Sequence, residues 1–312
     1  MLILHHYPMS PFSEKIRAVL GFKRLAWQSV VVPTILPKPD LLALTGGYRK
    51  TPVLQIGADI YCDTTLICEV LEQHAPTPSL YPAQVNTALA DIVAQWADST
   101  LFWAAMGYNL QKAGMAELFD GLPAQVVKDF AADRAAMASG LARPRPPDAA
   151  VAYHAYLQRL ASMLEAHPFL LGPVPCVADF AAYHPLWFTR TQVPGLASIL
   201  HAVPTVLRWM DRIEAFGYGQ KQHLSAADAI AVSAAANAAG RQNDPEFQDH
   251  HGMALGSQVS VAAESFGSEP TVGVLLEATR NHYTLGRTDP RAGVLRVHFP
   301  RIGYALRQEG SS

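Results

Sequence analysis

Two serines three residues apart, Ser10 and Ser13, stand where an apolar opening strand gives way to an amphipathic helix, in the stretch Ser10-Pro11-Phe12-Ser13. Strand-to-helix turns can carry a redox Cys-x-x-Cys pair at this spacing, and here both sulfurs are replaced by oxygen. A serine hydroxyl cannot form a disulfide, yet it can donate a hydrogen bond to a thiolate supplied by another molecule. The unpaired N–H groups and positive dipole end of the helix also favour an anion there. A free thiol titrates near pH ~8.5, and lowering that by about two units takes roughly 2.7 kcal/mol. A hydroxyl bonded to a charged acceptor supplies about 1.5–3 kcal/mol, and the helix end adds up to about 1. One serine at a helix start is therefore enough to activate a bound thiol. The plainer account is that Ser10 only caps the helix. Pro11 already fixes the first helical position, which favours the thiolate-donor role for Ser10. Ser13, nearly one turn later, is a competing cap or donor. Tyr7 is a third option, although before Pro8 it reads as a strand-end aromatic.

The elements that must position these groups follow from periodicity. Leu2 to Tyr7 reads as a short buried strand. Phe12 to Leu25 reads as a helix with Ile16, Val19 and Leu20 on one side, and Trp27 to Val32 as a second strand. Together they form a βαβ unit. After a proline-rich connection and a short helix at Asp40 to Leu44, Pro52 to Ile56 and Asp59 to Tyr61 form a hairpin about Gly57. Thr64 to His74 is helical, with Asp63 as its cap. From Val85 to about Tyr218 the pattern is helical throughout, in stretches Leu89 to Leu110, Pro123 to Ala138, Asp148 to Ala166, Ala178 to Thr189 and Pro204 to Phe216. The composition then changes. Ser225 to Ala239 is an Ala-rich helix with Ser225 as N-cap and Gly240 as stop. Gln258 to Ala262, Thr271 to Ala278 and Gly293 to Phe299 read as strands of a small β module.

The bulk numbers bound the function. A chain of 312 residues suits two or three domains, and with 50% hydrophobic and 16% charged residues it can bury a sizeable core. A net charge of −2 gives no electrostatic reason to expect nucleic acid or an anionic membrane as partner. No apolar run reaches bilayer length, and the first residues lack the basic flank of a signal peptide. Cys62, Cys68 and Cys176 are too few and wrongly spaced for a disulfide framework or a zinc knuckle, so a cytoplasmic location is expected. Asp249-His250-His251 reads as a solvated polar loop, and no metal is assigned. Walker, dinucleotide, Gly-x-Ser-x-Gly and His-Glu-x-x-His motifs are missing, which leaves nucleotide and hydrolase functions without support.

In combination, Ser10-Pro11-Phe12-Ser13-Glu14-Lys15-Ile16-Arg17, Thr51-Pro52-Val53-Leu54, Asp63-Thr64, Phe169-Leu170-Leu171-Gly172 and Cys176-Val177-Ala178-Asp179 resemble the cytosolic glutathione transferase superfamily from residue 1 to about 218. The resemblance implies an α/β thioredoxin-like N-terminal domain (1–76) that binds glutathione, then an all-α domain (85–220). The unit at 225–312, an Ala-rich helix and a small mainly-β module, lies outside the usual pattern. Ser10 is the implied thiolate donor, with Phe12, Lys50, Thr51, Pro52, Asp63 and Thr64 around glutathione. A cis bond at Thr51-Pro52 would turn the Thr51 backbone toward the cysteinyl backbone. The Asp63-Thr64 helix start would hold the γ-glutamyl end, and Lys50, or Arg49 beside it, the glycyl carboxylate. A pocket for a small apolar electrophile is expected at Met9, Trp103, Met106 and Tyr108. Asp179 with Cys176 matches the family's core-helix cap, Cys176 replacing the usual Ser or Thr. The implied function is glutathione transfer by a homodimer. A glutathione-dependent isomerase or dehalogenase and a non-catalytic glutathione-binding scaffold are the alternatives. The absence of a cysteine at position 10 argues against mixed-disulfide chemistry.

Overall fold

The computed structural model of the chain describes residues 1–139, 141, 145–236 and 249–309. It opens with β1 (Ile3–His6), α1 (Pro11–Phe22) and β2 (Ala26–Val31), the two strands parallel. α2 (Pro39–Thr45) leads into the antiparallel hairpin of β3 (Val53–Ile56) and β4 (Asp59–Cys62), and α3 (Thr64–His74) follows. These limits agree with the sequence pattern to within a few residues. Ile16, Val19 and Leu20 of α1 and Ile67 and Leu71 of α3 are fully buried in the core shared with the helical part. The Thr51–Pro52 bond is cis, as the resemblance implies.

The helical part comprises α4 (Thr87–Trp96), α5 (Phe102–Asn109), α6 (Lys112–Leu118), α7 (Ala124–Met137), α8 (Pro146–Met163), α9 (Val177–Trp187), the short α10 (Ser198–His201) and α11 (Pro204–Glu214). The single helix expected at Leu89 to Leu110 is interrupted by one wide π turn, Ala97–Leu101, between α4 and α5. Such turns add a residue to the local repeat and re-aim the side chains around it. The core-helix cap is present. Asp179 accepts from the backbone N–H of Cys176 at 2.9 Å and of Leu170 at 2.9 Å, and from the Trp209 indole at 2.8 Å.

Beyond α11 the chain returns to the sheet. β5 (Gln220–His223) pairs in parallel with β2, its side chains all exposed and polar, which is why no apolar pattern announces it. α12 (Ala226–Ala235) begins at Ser225, whose hydroxyl accepts from Asp228 N as a cap should. Gly240 and the break at Arg143-Pro144 lie outside the described residues. The three strands expected in the tail are β6 (Gln258–Ala263), β7 (Thr271–Ala278) and β9 (Gly293–Pro300). Two more join them, β8 (His282–Asp289) and β10 (Tyr304–Gln308).

Among the described residues ten strands form one sheet in the order β10-β6-β7-β8-β9-β4-β3-β1-β2-β5. The junction is the parallel pair β4–β9, with Tyr61 opposite His298. A second core, with Leu41, Leu44 and Ile60 beside Leu285, Leu295 and Val297, joins tail and opening unit. Gly47 marks the tightness of this contact, since a Cβ there would sit 2.0 Å from Pro270 O. Among the described residues no helix is long and apolar enough to cross a membrane.

Asp179→Ala leaves three buried donors without their acceptor, each worth about 1–3 kcal/mol. Chemical denaturation should show a loss of roughly 3 kcal/mol or more, whereas Arg159→Ala on α8 should change stability by less than about 0.5 kcal/mol.

Candidate functional site

One cavity of about 670 Å³ opens where the start of α1, the start of α3, the α4–α5 helix and the tail meet. Met9, Ser10, Phe12, Lys50, Thr51, Asp63, Thr64, Trp103 and Met106 all line it. Pro52, the next residue after Thr51, is buried and is not part of the wall.

Ser10 is the N-cap of α1, and its Oγ accepts from Ser13 N at 3.2 Å. That bond uses an oxygen lone pair and leaves the hydroxyl hydrogen to donate, so capping and thiolate donation are compatible in one side chain. Ser13 is fully buried and is not part of the cavity wall. Tyr7 also lines the cavity, and its hydroxyl accepts from Arg134 at 3.2 Å, so it too keeps a hydrogen to donate. Phe12 packs on Phe102 and His184 with ring centroids 4.7 and 4.6 Å apart, binding the start of α1 to the helical part.

Thr51 lies just outside the ladder: β3 makes its last pairs at Val53, with His5 and with Cys62. An extended peptide can add to such a strand end. Asp63 caps α3, accepting from Thr65 N at 2.9 Å. Its backbone sits at φ 77°, ψ 140°, where a non-glycine residue is strained by about 1–3 kcal/mol. The Tyr304 hydroxyl donates to its other carboxylate oxygen at 2.9 Å. Tyr304 comes from β10, and nothing in the sequence linked it to the site.

The Thr64 hydroxyl accepts from Lys15 Nζ at 3.1 Å, and the same ammonium reaches Asp98 of the π turn at 2.5 Å. Asp98 is also bonded to His184 Nε2 at 2.9 Å. Burial opposes both charges, yet Asp98 holds Lys15 above its ordinary pKa, and Lys15 with His184 holds Asp98 below its own.

The cavity is electropositive on one side. Lys50 lies over the rings of Tyr48 and Tyr304, 5.2 and 5.0 Å from their centroids. Burial pushes its pKa down against the pull of Asp63. Lys38, which the sequence reading missed, sits 5.6 Å over Tyr7 and donates to Arg49 O at 3.1 Å. Burial, with Arg134 nearby, pushes it down to about 8. Among the described residues no carboxylate lies within ion-pair distance of either lysine. Arg49 instead is held by Asp133 and Glu269, each at 2.5 Å. Two ammonium groups, one buried and one half-buried, facing one cavity are suited to an anion.

Trp103 and Met106 share one face of α5 with Leu110, also on the wall. Tyr108 does not. It points about 140° away on the helix, donates to Leu196 O at 3.1 Å and packs on Tyr153. The pocket assignment of Tyr108 is corrected accordingly. The tail completes the wall with Phe266, Arg280, Asn281, Arg301 and Tyr304, and Phe266 stands edge-on to Trp103 at 5.4 Å. All three cysteines are buried. Burial pushes the Cys62 thiol well above its ordinary pKa and those of Cys68 and Cys176 to about 12, so none is an available thiolate.

Residues 4–79 match the family model of the glutathione S-transferase N-terminal domain. Among solved structures, a GST-like protein from Pseudomonas syringae is 40% identical over 98% of this chain and 98% of its own, with a TM-score of 0.79. Among curated proteins, pyrimidodiazepine synthase of Drosophila melanogaster is 29% identical over 86 residues, 26% of this chain and 35% of its own length. The chain thus spans about a third of that relative. FtsZ-localized protein A of Caulobacter vibrioides is 25% identical over 185 residues, 57% of this chain and 73% of its own length. With the cis Thr51–Pro52 turn, the Asp63–Thr64 helix start and a full-length relative of the same fold, the chain belongs to the glutathione S-transferase superfamily.

Proposed function

We propose that this protein binds glutathione in the cavity and activates its thiol for transfer to a small apolar electrophile. The observation that carries the reading is the convergence, on one wall, of groups matching each part of that tripeptide. Ser10 offers a free O–H at a helix N-terminus. Thr51 lies just beyond the end of a β ladder, and Asp63 and Thr64 open α3. Lys38, which is buried, and Lys50, which is half-buried, are cations facing the same space. In this reading the γ-glutamyl ammonium and carboxylate meet Asp63 and the α3 N-terminus, and the cysteinyl backbone extends the β3 edge at Thr51. The glycyl carboxylate meets Lys50 and Lys38. The thiol loses its proton to solvent, and the sulfur is held by the Ser10 hydroxyl and the start of α1. It then attacks an electrophilic carbon seated against Met9, Trp103, Met106 and Phe266, forming a C–S bond as the leaving group departs or the double bond accepts the electron pair. Water is kept from the sulfur by Phe12 and Phe102.

A binding-only role is the second reading, favoured by one observation: a relative matching 57% of this chain is named for its localisation with FtsZ.

Glutathione at millimolar concentration should raise the melting temperature, and a generic electrophile should be conjugated. Binding without conjugation favours the second reading, and no binding overturns both. Ser10→Ala should raise the pKa of the bound thiol by about 1–2 units, read from thiolate absorbance against pH. Ser10→Thr, which keeps both cap and hydroxyl, should restore most of the shift. Tyr304→Phe should weaken glutathione roughly tenfold, about 1.4 kcal/mol, by releasing Asp63. The change should appear in KM for glutathione, with kcat nearly unchanged.

A further inference from the structure

A second cluster of chemistry-bearing side chains lies away from the cavity, on one face of the sheet where tail and opening unit join. Ladder register aligns four residues across adjacent strands: Tyr61 opposite His298, His298 opposite Thr284, and Thr284 opposite Glu277. His282 lies two residues before Thr284 on β8, hence on the same face. One ligand atom from each of Glu277, His282 and His298 falls within 4.8 Å of the others. We propose that these three residues form a binding site for a divalent transition ion of the zinc class.

The outer partners support this more than the trio alone does. A metal-ligating histidine characteristically donates its second ring N–H to a carboxylate, hydroxyl or carbonyl that fixes its tautomer. His298 Nε2 is 2.8 Å from Asp59 Oδ1, and its ring is stacked on Tyr61 at 4.5 Å. Its Nδ1 is thereby the nitrogen that faces the site. His282 Nδ1 is 2.9 Å from the Thr279 hydroxyl, which leaves Nε2 toward Glu277 Oε2 at 3.6 Å. Arg296 holds the other Glu277 oxygen at 2.7 Å, orienting the carboxylate. Thr284 Oγ1 lies 2.8 Å from Glu277 and 2.9 Å from His298, and it turns aside or joins the shell as a fourth ligand when the ion enters.

The Arg296 guanidinium lies between two carboxylates, 2.7 Å from Glu277 and 3.4 Å from Asp59, and so ties the cluster to β4. Glu277 and His298 are buried, while the His282 side chain is 24% exposed and offers the entry path. Two imidazoles and one carboxylate with an open fourth position is a donor set that suits zinc. Because the ligands come from β7, β8 and β9 and the outer carboxylate from β4, a bound ion would staple the tail to the opening unit.

The test uses the full-length protein stripped with a chelator and titrated with Zn²⁺ by calorimetry, then with Co²⁺ followed by visible absorption. One ion per chain is expected, with cobalt bands of a four-coordinate nitrogen–oxygen site. His282→Ala should weaken binding by at least about tenfold, and Asp59→Asn by about 10–100-fold. His251→Ala, in the loop beside Asp249, should leave it unchanged. No stoichiometric uptake by the wild-type chain would overturn the site, as would equal affinity in His282→Ala. A protonated His298 then accounts for the same contacts. X-ray absorption of the wild-type cobalt protein, expected to show two imidazoles, decides the matter even if a variant fails to fold. Glutathione enters none of these readings, so failure here leaves the thiolate proposal untouched.

Discussion

The ammonium of Lys15 is the point on which the cavity depends. It is 1% exposed and sits where α1, the start of α3 and the π turn meet. Taking such a charge out of water costs several kcal/mol unless it is paired with good geometry. Asp98 supplies the counter-charge, Thr64 a second acceptor, and His184 steadies Asp98 from α9. One buried cation therefore fixes the relative position of both halves of the cavity. The π turn carries Asp98 itself, so the counter-charge to Lys15 sits at the junction of α4 and α5.

The Asp63 end is held in a different way. Its backbone strain is offset by bonds from Thr65 within α3 and from Tyr304 in the tail. Tyr304 also presents its ring to Lys50, so one side chain braces a carboxylate and an ammonium on the same wall. The tail is thus part of the cavity's architecture, joined through the β4–β9 ladder and through the close approach of Gly47 to Pro270.

Much of this was legible in the sequence where local pattern and local chemistry coincide. α1 and α3 follow apolar periodicity, and their caps at Ser10 and Asp63 are side chains bonding N–H groups two or three residues away. Trp103, Met106 and Tyr108 group together in the sequence as apolar and aromatic residues near one helix end, but helical phase within α5 turns Tyr108 about 140° away from Trp103. Lys38 escaped notice because a lone lysine in a proline-rich loop reads as surface, whereas here it is buried over Tyr7. β5 has no apolar residue to betray it, and β8 alternates poorly because Gly286, Arg287 and Asp289 interrupt it. Tyr304 and the His298 row depend on register between strands more than 200 residues apart, which no single-sequence pattern encodes.

The hydrogen bond from Tyr304 to Asp63 closes a loop of 241 residues. Long closures form late in folding, since chain entropy must be overcome before the contact contributes. During synthesis the opening unit can fold from local contacts while the ribosome is still hundreds of codons from Tyr304. The strained Asp63 turn then waits for a brace that arrives only with the last strand of the sheet. A nascent chain therefore holds an incomplete cavity until Tyr304 has emerged, and any partner that reads that wall reads a chain whose tail has already joined the sheet.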